Sequence, residues 1–279
     1  MEFMYGEKLH RDNFRVSVID GIDGSGKGSA TEEMADIISG LGYNVLTVDY
    51  PQYEALWGQI IQKLLSRDDS SIDIYQRMAI YALNRLETVP TLKTQLSNFK
   101  VPTYVLFDRF ITSNAMTCAY YSKKDPGILR DIDSLYHFMF DLDSTFLKSL
   151  GISDFHVVVP TIDHEKAFQA VEEDSGRSGA DLYEQSDVLR LGNWIYRQFA
   201  LLDPQRFTLL NQDFKDGIRM SKGDIAREII RIQFGKIETY GHSKGQVSRF
   251  QFNQSSVDTS LFQGILDRFP VLRMIDPYG

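Results

Sequence analysis

The stretch that decides the fold is GIDGSGKGSAT, residues 21–31, which follows directly on the apolar run Val16-Ser17-Val18-Ile19. The run reads as a strand, the glycines as a turn and the residues from Lys27 onward as a helix. This is the context in which a loop of the pattern G-x-x-x-x-G-K-[ST] holds a phosphate. Backbone N–H groups of residues 24–29 would point at the anion, and the helix dipole would favour its charge. Gly24, Ser25, Gly26, Lys27, Gly28 and Ser29 are therefore the candidate phosphate-binding residues, with Lys27 reaching the transferred phosphoryl group. The pattern departs at one position. Gly28 stands where a metal-holding hydroxyl would be, and Ser29 and Asp23 are the nearest replacements.

Outward from this loop, strand-like runs recur at 16–20, 44–49, 103–108, 155–159 and 207–211. Helical patterns lie between them at 27–40, 54–66, 72–97, 112–149, 164–173 and 182–202, with a last one at 222–234. That alternation predicts an α/β fold, a doubly wound parallel sheet with helices on both faces. Pro90 falls inside the third helical pattern and is expected to kink or divide it. The segment EEDSGRSGAD, 172–181, is polar and glycine-containing and reads as a mobile lid between two helices. One domain over 15–234 is expected, with 235–279 as a carboxyl-terminal extension. The run LFQGILDRFPVLRM in that extension holds enough apolar residues to pack on the domain or on a partner.

Composition limits the partners. A net charge of −8 argues against general nucleic-acid binding, which needs a basic face, so any phosphate site is local and helped by a divalent cation. The single cysteine, Cys118, permits no internal disulfide. The first residues lack an apolar stretch of signal-peptide length, and nowhere do eighteen apolar residues run together. A cytoplasmic protein with no membrane partner is expected. The five histidines share no metal-ligand spacing.

A second signature is DRFITSNA, residues 108–115, at the carboxyl end of the strand 103–108. Ligands of open α/β sheets bind outside such strand ends, and an arginine there can grip a phosphate through two parallel hydrogen bonds. Together with DYPQY (49–53), YALNR (81–85) and DLYE (181–184), these motifs make residues 15–233 resemble the thymidylate kinases. These are P-loop nucleoside-monophosphate kinases. The resemblance implies transfer of the terminal phosphate of ATP to dTMP with Mg2+, for dTTP synthesis, by a chain that is commonly a homodimer.

Carried over by position, Tyr81 resembles the aromatic residue on which thymine stacks, and Arg85 the arginine that reads its carbonyl. On the residues alone Tyr81 reads as core and Arg85 as a solvated charge, although the two share a helix face. Arg109 resembles the arginine on the dTMP phosphate, with Asp108 supporting the polar network beside it. Ser113 and Asn114 match positions that line base and sugar. Asp23 resembles an acid shared between dTMP and the metal, Tyr183 a tyrosine over the nucleotide, and Glu184 an acid near the metal. Catalysis would rest on Lys27, Arg109 and Arg177, the one arginine of the lid. Arg177 could equally be solvated beside Glu172, Glu173 and Asp174.

Three departures stand out. Gln52 replaces an arginine that relatives often carry for the acceptor phosphate, Thr117 replaces a tyrosine that crowds the sugar 2′ position, and the lid is poor in arginine. They keep open a kinase for another deoxynucleoside monophosphate or a deoxynucleoside, and a non-catalytic nucleotide-binding regulator.

Overall fold

The computed structural model describes residues 14–66, 71–99, 102–174, 181–212, 219–240 and 243–278. Six strands among them form one parallel sheet: β1 (Phe14–Ile19), β2 (Asn44–Asp49), β3 (Thr103–Asp108), β4 (Val157–Thr161), β5 (Phe207–Asn211) and β6 (Val247–Arg249). Their order is β5-β4-β1-β3-β2-β6, with every pairing parallel. The central strand β3, TYVLFD, is buried along nearly its whole length because helices cover both faces. Successive residues therefore serve different layers. Tyr104 and Leu106 face one core, and Val105 and Phe107 the other.

Two helices cover the first face: α1 (Lys27–Gly40), and one at Lys222–Phe234. Met34 and Ile38 of α1 meet Ile225 and Ile229 of that second helix over the sheet. The other face carries, in chain order, α2 (Leu56–Ser66), α3 (Ile74–Ser97), α4 (Asn114–Lys124), α5 (Ile132–Leu142), α6 (Ser144–Leu150), α7 (His164–Asp174) and α8 (Ser186–Leu202). The helix at Lys222–Phe234 is α9, and a short α10 spans Gln263–Arg268. The expected doubly wound α/β sheet is the observed one: β1 leads to β2 on one side of it and β3 leads to β4 on the other, a reversal that opens a crevice at the strands' carboxyl ends.

Two local expectations differ. α3 is not divided at Pro90, and the residues on both sides, Leu86, Val89 and Leu92, are buried in one core that holds the helix together across the missing hydrogen bond. The pattern at 112–149 is instead divided into α4, α5 and α6. Pro126 follows Asp125, whose carboxylate accepts from Gly127 N at 2.8 Å and ends α4, and Asp143 separates α5 from α6.

The carboxyl-terminal residues are built into the fold. β6 pairs with β2, Phe250 N donates to Thr47 O at 2.8 Å, and Phe250, Phe262, Ile265, Leu266 and Leu272 are buried in the larger core.

Candidate active site

The loop after β1 has the backbone its sequence requires. Gly24 and Gly26 have φ of 74° and 77°, in the left-handed region. A side chain at Gly24 would also strike the backbone carbonyl of Ala167, so α7 closes directly on the loop. Gly26 caps α1 without a side-chain hydrogen bond, which leaves the first amides of the helix for an anion. The loop is anchored by Asp20, which the sequence reading missed. Asp20 is fully buried and accepts from Thr112 Oγ1, from Ser113 Oγ at 2.7 Å, from Tyr196 OH at 2.7 Å and from Gly21 N at 2.9 Å. Its partners are 92, 93 and 176 residues away, so no local pattern marks it.

Lys27 is 6% exposed, and its Nζ donates to Ile22 O and Asp23 Oδ1, both at 3.2 Å. Asp23 also accepts from Arg109 Nη2. Burial alone would push the Asp23 carboxyl up, but the two cations outweigh it and hold it below the usual carboxylate range. Arg109 is the sole non-glycine residue at positive φ among the described residues, at 66°. That conformation costs about 1–2 kcal/mol, and Arg109 N donating to Ile19 O at 2.9 Å fixes it. Such strain, carried by the residue that aims a guanidinium at the phosphate loop, fits a functional position. Another cation was not foreseen. Arg219 Nη2 lies 3.6 Å from where a side chain at Gly26 would begin, tethered by Gln212, which itself donates to Ser25 O at 2.7 Å.

Beside the loop lies a cavity of about 180 Å³ between α3, α4 and the segment entering α8. Asp23, Tyr81, Arg85, Arg109, Ser113, Asn114, Tyr183 and Glu184 all line it, together with Tyr53 and Asp181. Residues as far apart in the sequence as Asp23 and Glu184 thus line the wall of one cavity. The Arg85 guanidinium reaches this wall while forming a two-pronged pair with the buried Asp143, Nε to Oδ1 at 2.6 Å and Nη2 to Oδ2 at 2.7 Å. Its charge is therefore buried and paired, whatever it offers a ligand. Tyr183 OH and Thr117 Oγ1 lie 3.1 Å apart, closing the side of the cavity next to α4. The Gln52 side chain turns away and donates to Asp49 O, while its backbone is held by Asn84. Glu184 Oε2 accepts from Asp181 N at 2.9 Å, and Asp181 Oδ1 accepts from Glu184 N at 3.2 Å. Arg177 lies outside the described residues, as does most of the expected lid.

Asp108, on β3, is the least satisfied acid of the site. Its Oδ1 is buried without a partner, and its Oδ2 is 3.3 Å from where a side chain at Gly28 would begin. Burial pushes its carboxyl up despite Lys27 and Arg109 nearby. No group of three or more His, Cys, Asp or Glu side chains with metal-holding geometry occurs among the described residues. A larger groove, about 600 Å³, runs along α8 between Arg190 and Arg197. It shares no residue with the phosphate loop.

Residues 19–137, from the end of β1 through the phosphate loop, Tyr81, Arg85 and the DRF turn, match the model of the family described as Thymidylate kinase. Over that stretch the chain is similar to the thymidylate kinases. Two thymidylate kinases of Mycobacterium tuberculosis, from strains CDC 1551 / Oshkosh and ATCC 25618 / H37Rv, are each 28% identical to it over 100 residues. That stretch is 35% of this chain, and the chain spans 45% of the length of these curated relatives. The solved thymidylate kinase of Candida albicans shares the fold, with a TM-score of 0.54 at 13% identity over 79% of this chain and 91% of that one. Tyr183, Glu184 and the carboxyl-terminal segment lie beyond the matched family region.

Proposed function

We propose that the protein transfers the terminal phosphate of ATP to dTMP, giving dTDP. The observation that carries this reading is the convergence of the phosphate loop, Lys27 and Arg109 with the cavity holding Tyr81 and Arg85. The donor phosphates would lie on the amides of residues 24–29 and α1. The acceptor phosphate would meet Arg109, with its base between Tyr81 and Arg85 and its sugar beside Ser113, Asn114 and Tyr183.

The reaction needs no general base, because a phosphate monoester with a second pKa near 6 is largely ionised at neutral pH. The demand is electrostatic: two anions are brought into line and the charge spread over the transferred group is stabilised. In the structure Lys27 and Arg109 both hold Asp23. Arriving phosphates would draw those cations away and release the Asp23 carboxylate. Arg219, and Arg177 from the lid, would add charge at the donor side.

Mg2+ fits this donor set. It favours oxygen ligands, few protein contacts and several waters, and Asp108 offers one buried oxygen without a partner, Oδ1, while its Oδ2 lies beside Gly28, where the hydroxyl of the motif is missing. Asp108, Asp23 and Glu184 are the residues proposed to hold it, and when bound it would neutralise charge on the phosphates.

A kinase of wider acceptor range is the second reading. Gln52 points no side chain at the cavity, the Thr117 hydroxyl is engaged with Tyr183 OH, and the Candida albicans relative is described as having broad substrate specificity. The proposal includes a homodimer of this chain in the cytoplasm, with ATP and dTMP as its small-molecule partners and no nucleic-acid or membrane partner. No described helix is long and apolar enough to cross a membrane. A coupled assay with ATP and Mg2+ against dTMP, dUMP, dCMP, UMP and thymidine tests the function. Preference for dTMP supports it, a phosphorylated nucleoside overturns it, and no turnover with any acceptor leaves a nucleotide-binding regulator. Light scattering on the purified chain tests the dimer.

A further inference from the structure

The loop between β2 and α2 brings Tyr50, Pro51 and Tyr53 to the wall of the cavity. It is held at both ends by α3. Asn84 binds the backbone of Gln52, with N to Oδ1 at 2.9 Å and Nδ2 to O at 3.1 Å. One turn further along, Glu87 accepts the first two amides of α2, Leu56 N at 2.8 Å and Trp57 N at 3.1 Å. Glu87 is fully buried and has a third donor, the hydroxyl of Tyr278, 191 residues away. The same carboxyl-terminal segment sets Phe262 edge-on against the buried Trp57, with centroids 6.5 Å apart at 87°, and Phe262 also packs on Tyr278 at 5.7 Å.

We propose that residues 250–278 form a strap that positions the loop of residues 50–55 for the acceptor, acting through Tyr278 on Glu87 and through Phe262 on Trp57. Neither Tyr278 nor Phe262 touches the cavity; both are positioning residues. Three donors share one buried carboxylate, so removing the Tyr278 hydroxyl loosens its hold on the two amides that start α2. Burial already pushes the Glu87 carboxyl up, and each donor lost favours its protonated form further, which accepts less well. The strap thereby ties the carboxyl-terminal segment to one substrate and leaves the phosphate loop, on the other side of the sheet's crevice, untouched. This inference rests on the kinase reading only for which substrate is affected.

The test uses the full chain carrying Tyr278→Phe, which removes only the hydroxyl, and separately Phe262→Leu. Amide hydrogen exchange is followed across the chain, and kcat and both KM values are measured in the coupled assay. The expected result is faster exchange confined to residues 51–57 and a KM for dTMP raised about three- to tenfold, the loss of one hydrogen bond. The KM for ATP and the exchange of α1 should not change. Unaltered loop exchange in both variants overturns the strap, and so does faster exchange spread evenly over the molecule, which marks a merely structural role. Equal rises in both KM values overturn it as well. If wild-type protein phosphorylates nothing while the variants loosen only residues 51–57, the strap stands and the kinase reading fails.

Discussion

The carboxylate of Asp108 stands 3.3 Å from the place where a side chain at Gly28 would begin, and its other oxygen has no partner. The glycine that breaks the phosphate-loop pattern thus borders an open carboxylate from the neighbouring strand. Asp108→Asn keeps the shape and removes the charge. Turnover should fall by about 10²–10³ and the Mg2+ concentration giving half-maximal rate should rise. The melting temperature should not fall, because an unpaired buried charge is lost. A magnesium titration of initial rates beside a thermal melt checks this, and an unchanged metal dependence would remove Asp108 from the site.

Lys27→Ala should lower turnover by a similar factor, about 10²–10³. The lysine is buried and hydrogen-bonded to Ile22 and Asp23, so, unlike a solvated loop residue, it also contributes to stability. Its loss should cost about 1–2 kcal/mol, since Arg109 still holds Asp23. Urea denaturation and single-turnover rates separate the two effects.

Asp143→Ala should destabilise the fold by about 3–5 kcal/mol, because it strands the buried Arg85 guanidinium. Arg85→Ala alone would confound base recognition with the same loss. The double variant Arg85→Met, Asp143→Leu should recover most of the stability and still show a reduced preference for dTMP over dCMP. A folded double variant with the wild-type ratio would show that Arg85 does not read the base.

Burial pushes the Asp181 carboxyl up to about 6, from an ordinary value near 4. The folded state therefore binds more protons than the unfolded chain between about pH 4 and 6. The contribution is present below that window and is lost as pH rises through it. Asn at this position can still accept from Tyr183 N and Glu184 N, the two amides that Asp181 Oδ1 holds. Asp181→Asn should thus gain in melting temperature relative to wild type as pH rises from about 4 to about 7. A constant difference across that range would contradict the assigned cause.

Sequence by itself determined what local chemistry fixes. Glycines at 24 and 26 followed by Lys27 specify a phosphate loop, because the turn needs left-handed backbone and the helix start needs an anion. The apolar run 104–107 specifies a sheet covered on both sides. The motifs at 81–85 and 108–115 supplied the side chains of the cavity that lie on α3, on α4 and in the turn before it, all but Met116.

Tertiary structure decided whatever depends on partners far along the chain. The helix-breaking tendency of Pro90 gave way to buried neighbours on either side, whereas Pro126, in a segment without such packing, ended a helix. Arg85 is paired because Asp143 falls opposite it, 58 residues away. Asp20 collects donors from two other elements, and Arg219 arrives at the loop from beyond β5. The segment after residue 235 has weak periodicity because its order comes from pairing with β2 and packing on α3, surfaces that exist only once the rest has folded. Periodicity records the face an element presents; it holds no record of which distant residue will meet that face.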